Sequence, residues 1–169
     1  MKHVLLLIIL SMLGACASTK VKEGSISQEI NNFKQAFVST VLVESTEQNE
    51  DAMKTNRTLQ EYTETRLNQL ISENYAVVPP TKREGSLSFN LKINVTYGNR
   101  ALRWLSPGAG RGSAVSVLEV RDGDSNEVLF SSSAESSLSM GAAGGSMTSV
   151  VEKNVDKLLK SFKKSISES

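Results

Sequence analysis

Apolar and polar residues alternate strictly in the middle of the chain. Between Ser86 and Tyr97 every second residue is apolar: Leu87, Phe89, Leu91, Ile93, Val95 and Tyr97. A period of two is that of a β-strand with one face buried and one face in water. The pattern therefore predicts a long strand that packs on one side only.

Two further apolar stretches precede this strand. Gln35 to Val43 is rich in Phe, Val and Thr, which favour strands, and we expect it to be a well-buried first strand. Tyr75 to Val78 predicts a short strand. Pro79 and Pro80 must end it, because proline cannot donate to a β-ladder and restricts the residue before it.

A β-hairpin is predicted after residue 113. Ala114 to Val120 and Glu127 to about Ser133 have the composition of strands, and the turn-forming residues 122–126 lie between them. We expect this pair to be antiparallel. Weaker alternation continues to Met140, where the glycine-rich residues 141–145 break it. That stretch predicts a flexible connection or, alternatively, a membrane-associating or partner-docking surface.

Two segments repeat their apolar residues with helical spacing. Asp51 to Asn74 contains no Gly or Pro and predicts an amphipathic helix. Ser149 and Glu152 have the spacing of a capping box and predict the start of a second helix. The apolar stripe of that helix consists of Val151, Val155, Leu158, Leu159, Phe162 and Ile166.

The order of elements is strand, long helix, short strand, long strand, hairpin and helix. An α+β fold accommodates every apolar stripe: a mixed, largely antiparallel sheet of about five strands, with two helices packed on one face. We expect residues 34–169 to form this fold as a single domain, since a chain of 169 residues fits one domain with its own core.

The N-terminus has the pattern of an export signal. Lys2 is followed by the apolar run Val4 to Leu13, which is too short to span a bilayer. The run closes with Gly14, Ala15 and Cys16, which resembles the lipobox of bacterial lipoproteins. An ordinary signal peptide with an incidental cysteine is the alternative.

The lipobox resemblance implies that residues 1–15 are a lipoprotein signal peptide and that Cys16 carries lipid. The polar composition of residues 16–33 then predicts a lipidated N-terminus and tether, which holds a periplasmic domain at a membrane. By similarity to Gram-negative lipoproteins, Ala17 after the cysteine favours the periplasmic face of the outer membrane. Two or more acyl chains anchor a protein stably.

Composition excludes several classes of function. The chain has 19 Lys and Arg residues against 18 Asp and Glu, so no large positive charge favours nucleic acid as a partner. Its single histidine, His3, lies in the signal, and its single cysteine is Cys16. The mature chain therefore offers no Cys or His metal site, no disulfide and no Ser-His-Asp or Cys-His arrangement. We expect no cofactor and no enzymatic activity, although carboxylate or lysine chemistry remains formally possible.

The connection from Gly98 to Ser113 is longer than an ordinary hairpin loop, and long ordered loops often carry function. Backbone amides at its glycines, with arginines beside them, could bind an anion. Alternatively, the glycines only permit a tight bend while the tryptophan packs over the sheet. The candidate binding residues are Arg100, Arg103, Trp104, Gly108, Gly110, Arg111 and Gly112.

The same segment resembles a family of bacterial lipoproteins that share a domain of unknown function. Its members have an Arg-containing segment and then a glycine-rich run between two strands, which match Gly98 to Arg103 and Gly108 to Ser113 here. The resemblance implies the fold and says almost nothing about activity.

These observations favour a membrane-anchored, noncatalytic module of the cell envelope. We expect it to bind an envelope protein partner or to assemble with copies of itself. The alternative is a periplasmic domain that binds a small ligand or cell-wall glycan, with Trp104 as a stacking platform and the arginines as hydrogen-bond donors.

Overall fold

A mixed sheet of six strands and two α-helices make up the computed structural model, which describes residues 18–98, 112–138 and 146–169. The strands are β1 (Ser18–Ile26), β2 (Gln35–Ser45), β3 (Ala76–Val77), β4 (Ser86–Thr96), β5 (Gly112–Asp122) and β6 (Val128–Leu138). The helices are α1 (Glu50–Asn74) and α2 (Met147–Glu168), and a 3-10 turn spans Gln28–Asn32.

The strand order is β1-β6-β5-β4-β2-β3. β2 runs parallel to both β3 and β4, and the other neighbours are antiparallel. The predicted α+β fold, with a mixed, largely antiparallel sheet and two helices on one face, is confirmed. The sheet has six strands rather than about five.

The additional strand is β1, in a segment that the sequence assigned to the tether. Its backbone pairs with β6 from Ser18↔Ser137 to Ile26↔Phe130. Because β1 lies at the edge of the sheet, only Val21 and Ile26 pack against the core, and the rest of the strand remains polar. The interpretation of residues 18–32 as a tether is therefore corrected, since the strand and the 3-10 turn belong to the folded domain.

The core lies between the sheet and the two helices. Phe162 of α2 is fully buried and meets Phe89 and Phe130 edge to face, with ring centroids 5.2 and 5.1 Å apart. Burying aromatic rings removes large apolar areas from water, and the edge-to-face geometry adds about 0.5–1.5 kcal/mol per pair. These contacts fix α2 over the centre of the sheet.

Each helix begins at a polar cap. The Asn49 Oδ1 accepts a hydrogen bond from the amide of Ala52 at 2.9 Å, and the Ser146 Oγ accepts one from the amide of Ser149 at 3.1 Å. α2 therefore starts one turn earlier than the predicted capping box at Ser149, because Ser146 provides the capping oxygen.

The two helices run parallel and are joined by exposed ion pairs. Arg66 of α1 contacts Asp156 of α2 at 2.9 Å, and Glu73 contacts Lys163 at 2.5 Å. Burial and then the charge of Asp156 raise the pKa of Tyr62, while the hydrogen bond from Lys163 lowers the pKa of Glu73. Neither helix within the described ranges is long and apolar enough to cross a membrane.

Candidate functional site

Several chain segments meet at one end of the sheet. β1 and β5 begin there, at Ser18 and Gly112, while β2, β4 and β6 end there, at Ser45, Thr96 and Leu138. The strand pairing places them side by side, through Ser18↔Ser137, Gly112↔Leu138 and Ser45↔Val95. We call this the proximal end, since Ser18 follows the predicted lipid site Cys16 by two residues.

A groove of about 480 Å³ opens at the proximal end, between β2, β4 and the start of α1. Its walls are partly apolar, from Val43, Val95 and Met53, and partly polar, from Asn56 and Asn94. The Met53 side chain is 57% exposed. The sequence did not indicate this groove, because its residues come from three elements and form no motif.

Hydrogen bonds hold one wall of the groove. The Asn56 amide donates to the Ser45 Oγ at 3.0 Å, and Ser45 in turn donates to the Glu47 carbonyl at 2.5 Å. The Tyr97 hydroxyl lies 3.4 Å from the Asn56 Oδ1, and burial raises the pKa of Tyr97. This wall thus provides neutral donors and acceptors, while Glu44 and Glu47 also line the groove.

Of the predicted binding loop, Gly112 is the residue that the structure describes. It lies in β5, where a Cβ atom would come within 2.8 Å of the Met147 Sδ and 3.2 Å of the Thr96 carbonyl oxygen. Close packing therefore accounts for glycine at this position. Cys16 and the other predicted loop residues lie outside the described ranges, namely Arg100, Arg103, Trp104, Gly108, Gly110 and Arg111.

A buried polar cluster ties α2 to the proximal end. The Asn154 side chain is fully buried and donates to the carbonyls of Ala114 and Ala134 at 3.1 and 3.3 Å. Its Oδ1 accepts from the Ser136 hydroxyl at 2.5 Å, and Thr19 of β1 contacts the same hydroxyl at 2.7 Å. Since each group has a partner, the cluster fixes β1, β5 and β6 against the helix.

Most of β2 forms a free edge of the sheet, at the side opposite the edge strand β1. Among the described strands, β3 pairs with Gln35 and Ala36 only, so the edge from Phe37 to Ser45 faces no neighbour. Thr40, Leu42 and Glu44 are exposed, and Leu42 retains 38% of its accessible surface. The prediction of a well-buried first strand was wrong, because an edge position leaves half of an apolar strand open to water or to a partner.

The sheet face opposite the helices is mostly polar. No described helix packs on it, and an ion pair of 2.9 Å joins Lys92 to Glu44 there. Val115 and Val117 lie half-buried among the serine, asparagine and charged residues of this face. Within residues 18–98, 112–138 and 146–169, no group of three or more His, Cys, Asp or Glu side chains could hold a metal ion.

No family profile and no curated protein matches the chain. Among solved structures, the chain is similar to the PelC dodecamer from Paraburkholderia phytofirmans, with 15% identity and a TM-score of 0.51 over 85% of this chain and 96% of that chain. It is also similar to a neuraminyllactose-binding hemagglutinin homolog from Helicobacter pylori, with 12% identity and a TM-score of 0.56 over 87% of this chain and 92% of that chain.

A DUF4136 family protein from Bacteroides thetaiotaomicron matches with 11% identity and a TM-score of 0.44, over 88% of this chain and 95% of that chain. At these identities the similarity concerns the fold. The Paraburkholderia phytofirmans and Helicobacter pylori proteins therefore share the fold of this chain at very different sequence.

Proposed function

We propose that this protein is a noncatalytic lipoprotein of the cell envelope, which assembles with copies of itself at the periplasmic face of the outer membrane. Lipid on Cys16 anchors it there. The observation that carries the proposal is the open β2 edge from Phe37 to Ser45, which pairs with β4 on one side and with no described strand on the other. Such an edge offers backbone donors and acceptors to another strand.

The position of β1 supports the anchor. Ser18 is already paired in the sheet, and it follows Cys16 by two residues. The lipidated residue would therefore lie beside the proximal end, with little chain in between. An envelope domain held this closely stays near the bilayer, which raises its local concentration and favours assembly with other copies.

The similarity to PelC supports self-assembly. That protein forms a dodecamer and has the fold of this chain over most of its length. Leu42 and Thr40 on the β2 edge are exposed here, and an apolar edge strand is covered in most native proteins. We propose that a second copy of this chain covers the β2 edge.

Two carboxylates near the turn between β5 and β6 have structural partners, which supports a noncatalytic role for them. Asp122 accepts backbone hydrogen bonds from Asp124 at 2.8 Å and Ser125 at 3.4 Å, as a turn-forming residue does. Glu119 is occupied by Arg121 at 2.6 Å. Asp122 and Glu119 therefore have structural roles, so we do not propose them as a general acid and base pair.

Site-specific photo-crosslinking tests the assembly. A photoactivatable residue replaces Leu42 in the full-length protein in intact envelopes, and we expect a crosslinked species composed of two copies of this chain. The control is the same residue at Val128, which is similarly exposed at 41% but lies in an inner strand. Crosslinks from Leu42 to a different envelope protein, without crosslinks to a second copy, would contradict self-assembly. They would indicate a complex with that protein instead.

The groove favours a second candidate, a domain that binds a small glycan. Its volume of about 480 Å³ and its neutral amide side chains suit sugar hydroxyls, and the similar Helicobacter pylori protein is a homolog of a neuraminyllactose-binding hemagglutinin. This candidate predicts that the affinity for neuraminyllactose falls at least tenfold in the double variant Asn94→Ala and Met53→Ala. Calorimetry of the full chain measures it, with Val128→Ala as control. Equal binding by both variants would exclude the groove as the sugar site.

A further inference from the structure

The outer surface of α2 carries a stripe of lysines. Lys153, Lys157, Lys160 and Lys164 are spaced by four, three and four residues and are all exposed. This spacing keeps them on one side of the helix. The neighbouring side of α2 is different, because Asp156 and Lys163 form ion pairs there with α1.

The edge strand β1 lies beside the lysine stripe. The Lys157 ammonium donates to the Thr19 carbonyl at 3.4 Å, which places the middle of the stripe next to this strand. β1 adds the exposed Lys20 and Lys22 on the other side of the same edge, because they alternate with the core-facing Val21 and Lys20 pairs with the exposed Glu135. We call these six residues the basic flank: Lys20, Lys22, Lys153, Lys157, Lys160 and Lys164.

Few acidic groups neutralise the basic flank. Glu168 lies 4.0 Å from Lys164, Glu135 pairs across the strands with Lys20, and Glu23 follows Lys22 in β1. Glu152, the remaining acidic residue nearby on α2, acts on Tyr62 at the α1 side. Six positive charges against three negative ones leave the flank cationic, although the chain as a whole is almost neutral.

The described part of the proximal end carries several acidic residues. Glu47, Glu50 and Asp51 follow β2 there, and the last two are exposed. An anionic surface would repel these groups and attract the basic flank, and the attraction would be felt over roughly 10 Å at 0.1 M salt. The charge distribution therefore distinguishes two ways of placing the domain on a membrane.

The length of chain before β1 keeps the flank near the anchor. Ser18 is two residues after Cys16, and two extended residues reach about 7 Å at most. An anchor this short allows the proximal end to face the bilayer, or the β1 and α2 side to lie on it. It does not allow the domain to stand far from the surface.

We propose that the basic flank lies on anionic phospholipid headgroups, so that the domain rests on its β1 and α2 side. This inference rests on the proposed lipid at Cys16. The lysines would then act as a second membrane contact, which complements acyl chains in peripheral proteins. The β2 edge, at the opposite side of the sheet, is left facing away from the lipid.

Fluorescence quenching by lipid-borne quenchers tests the orientation. The full-length, lipidated protein is reconstituted into vesicles of phosphatidylcholine alone or of phosphatidylcholine with phosphatidylglycerol. A fluorophore is attached through Ser167→Cys, near the far end of α2, or through Gln48→Cys, at the proximal end. Ser167 lies about 30 Å along the helix from Met147, so only the flank orientation brings its label to the lipid.

We expect the label at residue 167 to be quenched in phosphatidylglycerol vesicles and released by high salt, while the label at residue 48 stays unquenched. Replacing Lys153, Lys157, Lys160 and Lys164 by Gln should lower the quenching at least twofold, since each lysine contributes to the attraction. The control carries the same change of charge elsewhere, with Lys54, Arg57, Lys82 and Arg83 replaced by Gln, and should behave as the parent protein.

Quenching of the label at residue 48 instead of residue 167 would overturn the proposal in favour of an end-on orientation. Absence of quenching at both positions would overturn it as well. Mass spectrometry of the Cys16 peptide and vesicle flotation are measured on the same samples. An unlipidated protein that does not float refutes the proposed anchor itself, and with it this inference.

Discussion

Asn154 shows how one polar side chain can organise an end of the sheet. It is fully buried in α2 and donates to two strand carbonyls, while Ser136 donates to its Oδ1. Through Ser136 the cluster reaches Thr19 on the edge strand. This role could not be predicted from the sequence, because a buried asparagine within a helical segment has the same residue pattern as an asparagine in water.

Asn154→Ala should destabilise the fold by about 2–3 kcal/mol, because it removes the hydrogen bonds of Asn154 with Ala114, Ala134 and Ser136 and opens a cavity in the core. Urea unfolding of the purified protein measures the loss. Lys153→Ala, at the exposed neighbouring position, is the matched control and should change stability by less than about 0.5 kcal/mol. Equal stability of the Asn154 variant and the control would show that the cluster contributes nothing.

β1 is the element for which sequence and structure differ most. Its residues alternate weakly and are mainly Ser, Thr, Lys and Glu, yet the strand pairs with β6 along its length, apart from an irregularity between Glu23 and Ile26. Gly24 lies within that irregularity, and a Cβ atom there would clash with the Ser131 carbonyl oxygen. Glycine is therefore required where the two backbones approach.

Gly24→Val should push the second half of β1 away from β6, at a cost of about 1–3 kcal/mol. Hydrogen exchange of the full-length protein measures the effect, which we expect as lost protection in residues 18–26 while β4 and β5 stay protected. Glu23→Val, one residue earlier and exposed, is the control. Unchanged protection of β1 in the Gly24 variant would contradict the close packing.

The strongly periodic elements could be predicted well from the sequence. The strand expected from Ser86 to Tyr97 is β4 (Ser86–Thr96), and the helix expected from Asp51 is α1 (Glu50–Asn74). The antiparallel hairpin of β5 and β6 is also confirmed. In each case one face of the element is buried, so apolar residues recur along the sequence with the period of that strand or helix.

The candidate site was much less predictable. The groove combines residues from β2, β4 and α1, and their proximity depends on a strand order that no local pattern specifies. The exposed edge of β2 depends on the same order, since its apolar residues equally suit an inner strand. The predicted role of Cys16 and of Arg100, Arg103, Trp104, Gly108, Gly110 and Arg111 stays a prediction, because these residues lie outside the described ranges.

At the scale of the whole molecule, the proposed contacts lie at opposite sides of the sheet. The β1 edge and the basic flank lie on one side and the β2 edge lies on the other, and the groove at the proximal end adjoins the β2 edge. An anchored domain with this arrangement can contact the membrane through its β1 edge and bind another copy through its β2 edge. The strand order therefore separates the proposed membrane contact from the proposed contact between copies.

Mass measurement of the full-length, lipidated protein in detergent tests the central proposal most directly. We predict species larger than a monomer for the native chain, and loss of those species when Thr40→Lys and Leu42→Lys place charges on the β2 edge, where charged residues oppose strand addition. Val128→Lys, in an inner strand with similar exposure, should leave the assembly intact. A native protein that is monomeric at every concentration, although lipidated and folded, would contradict the account.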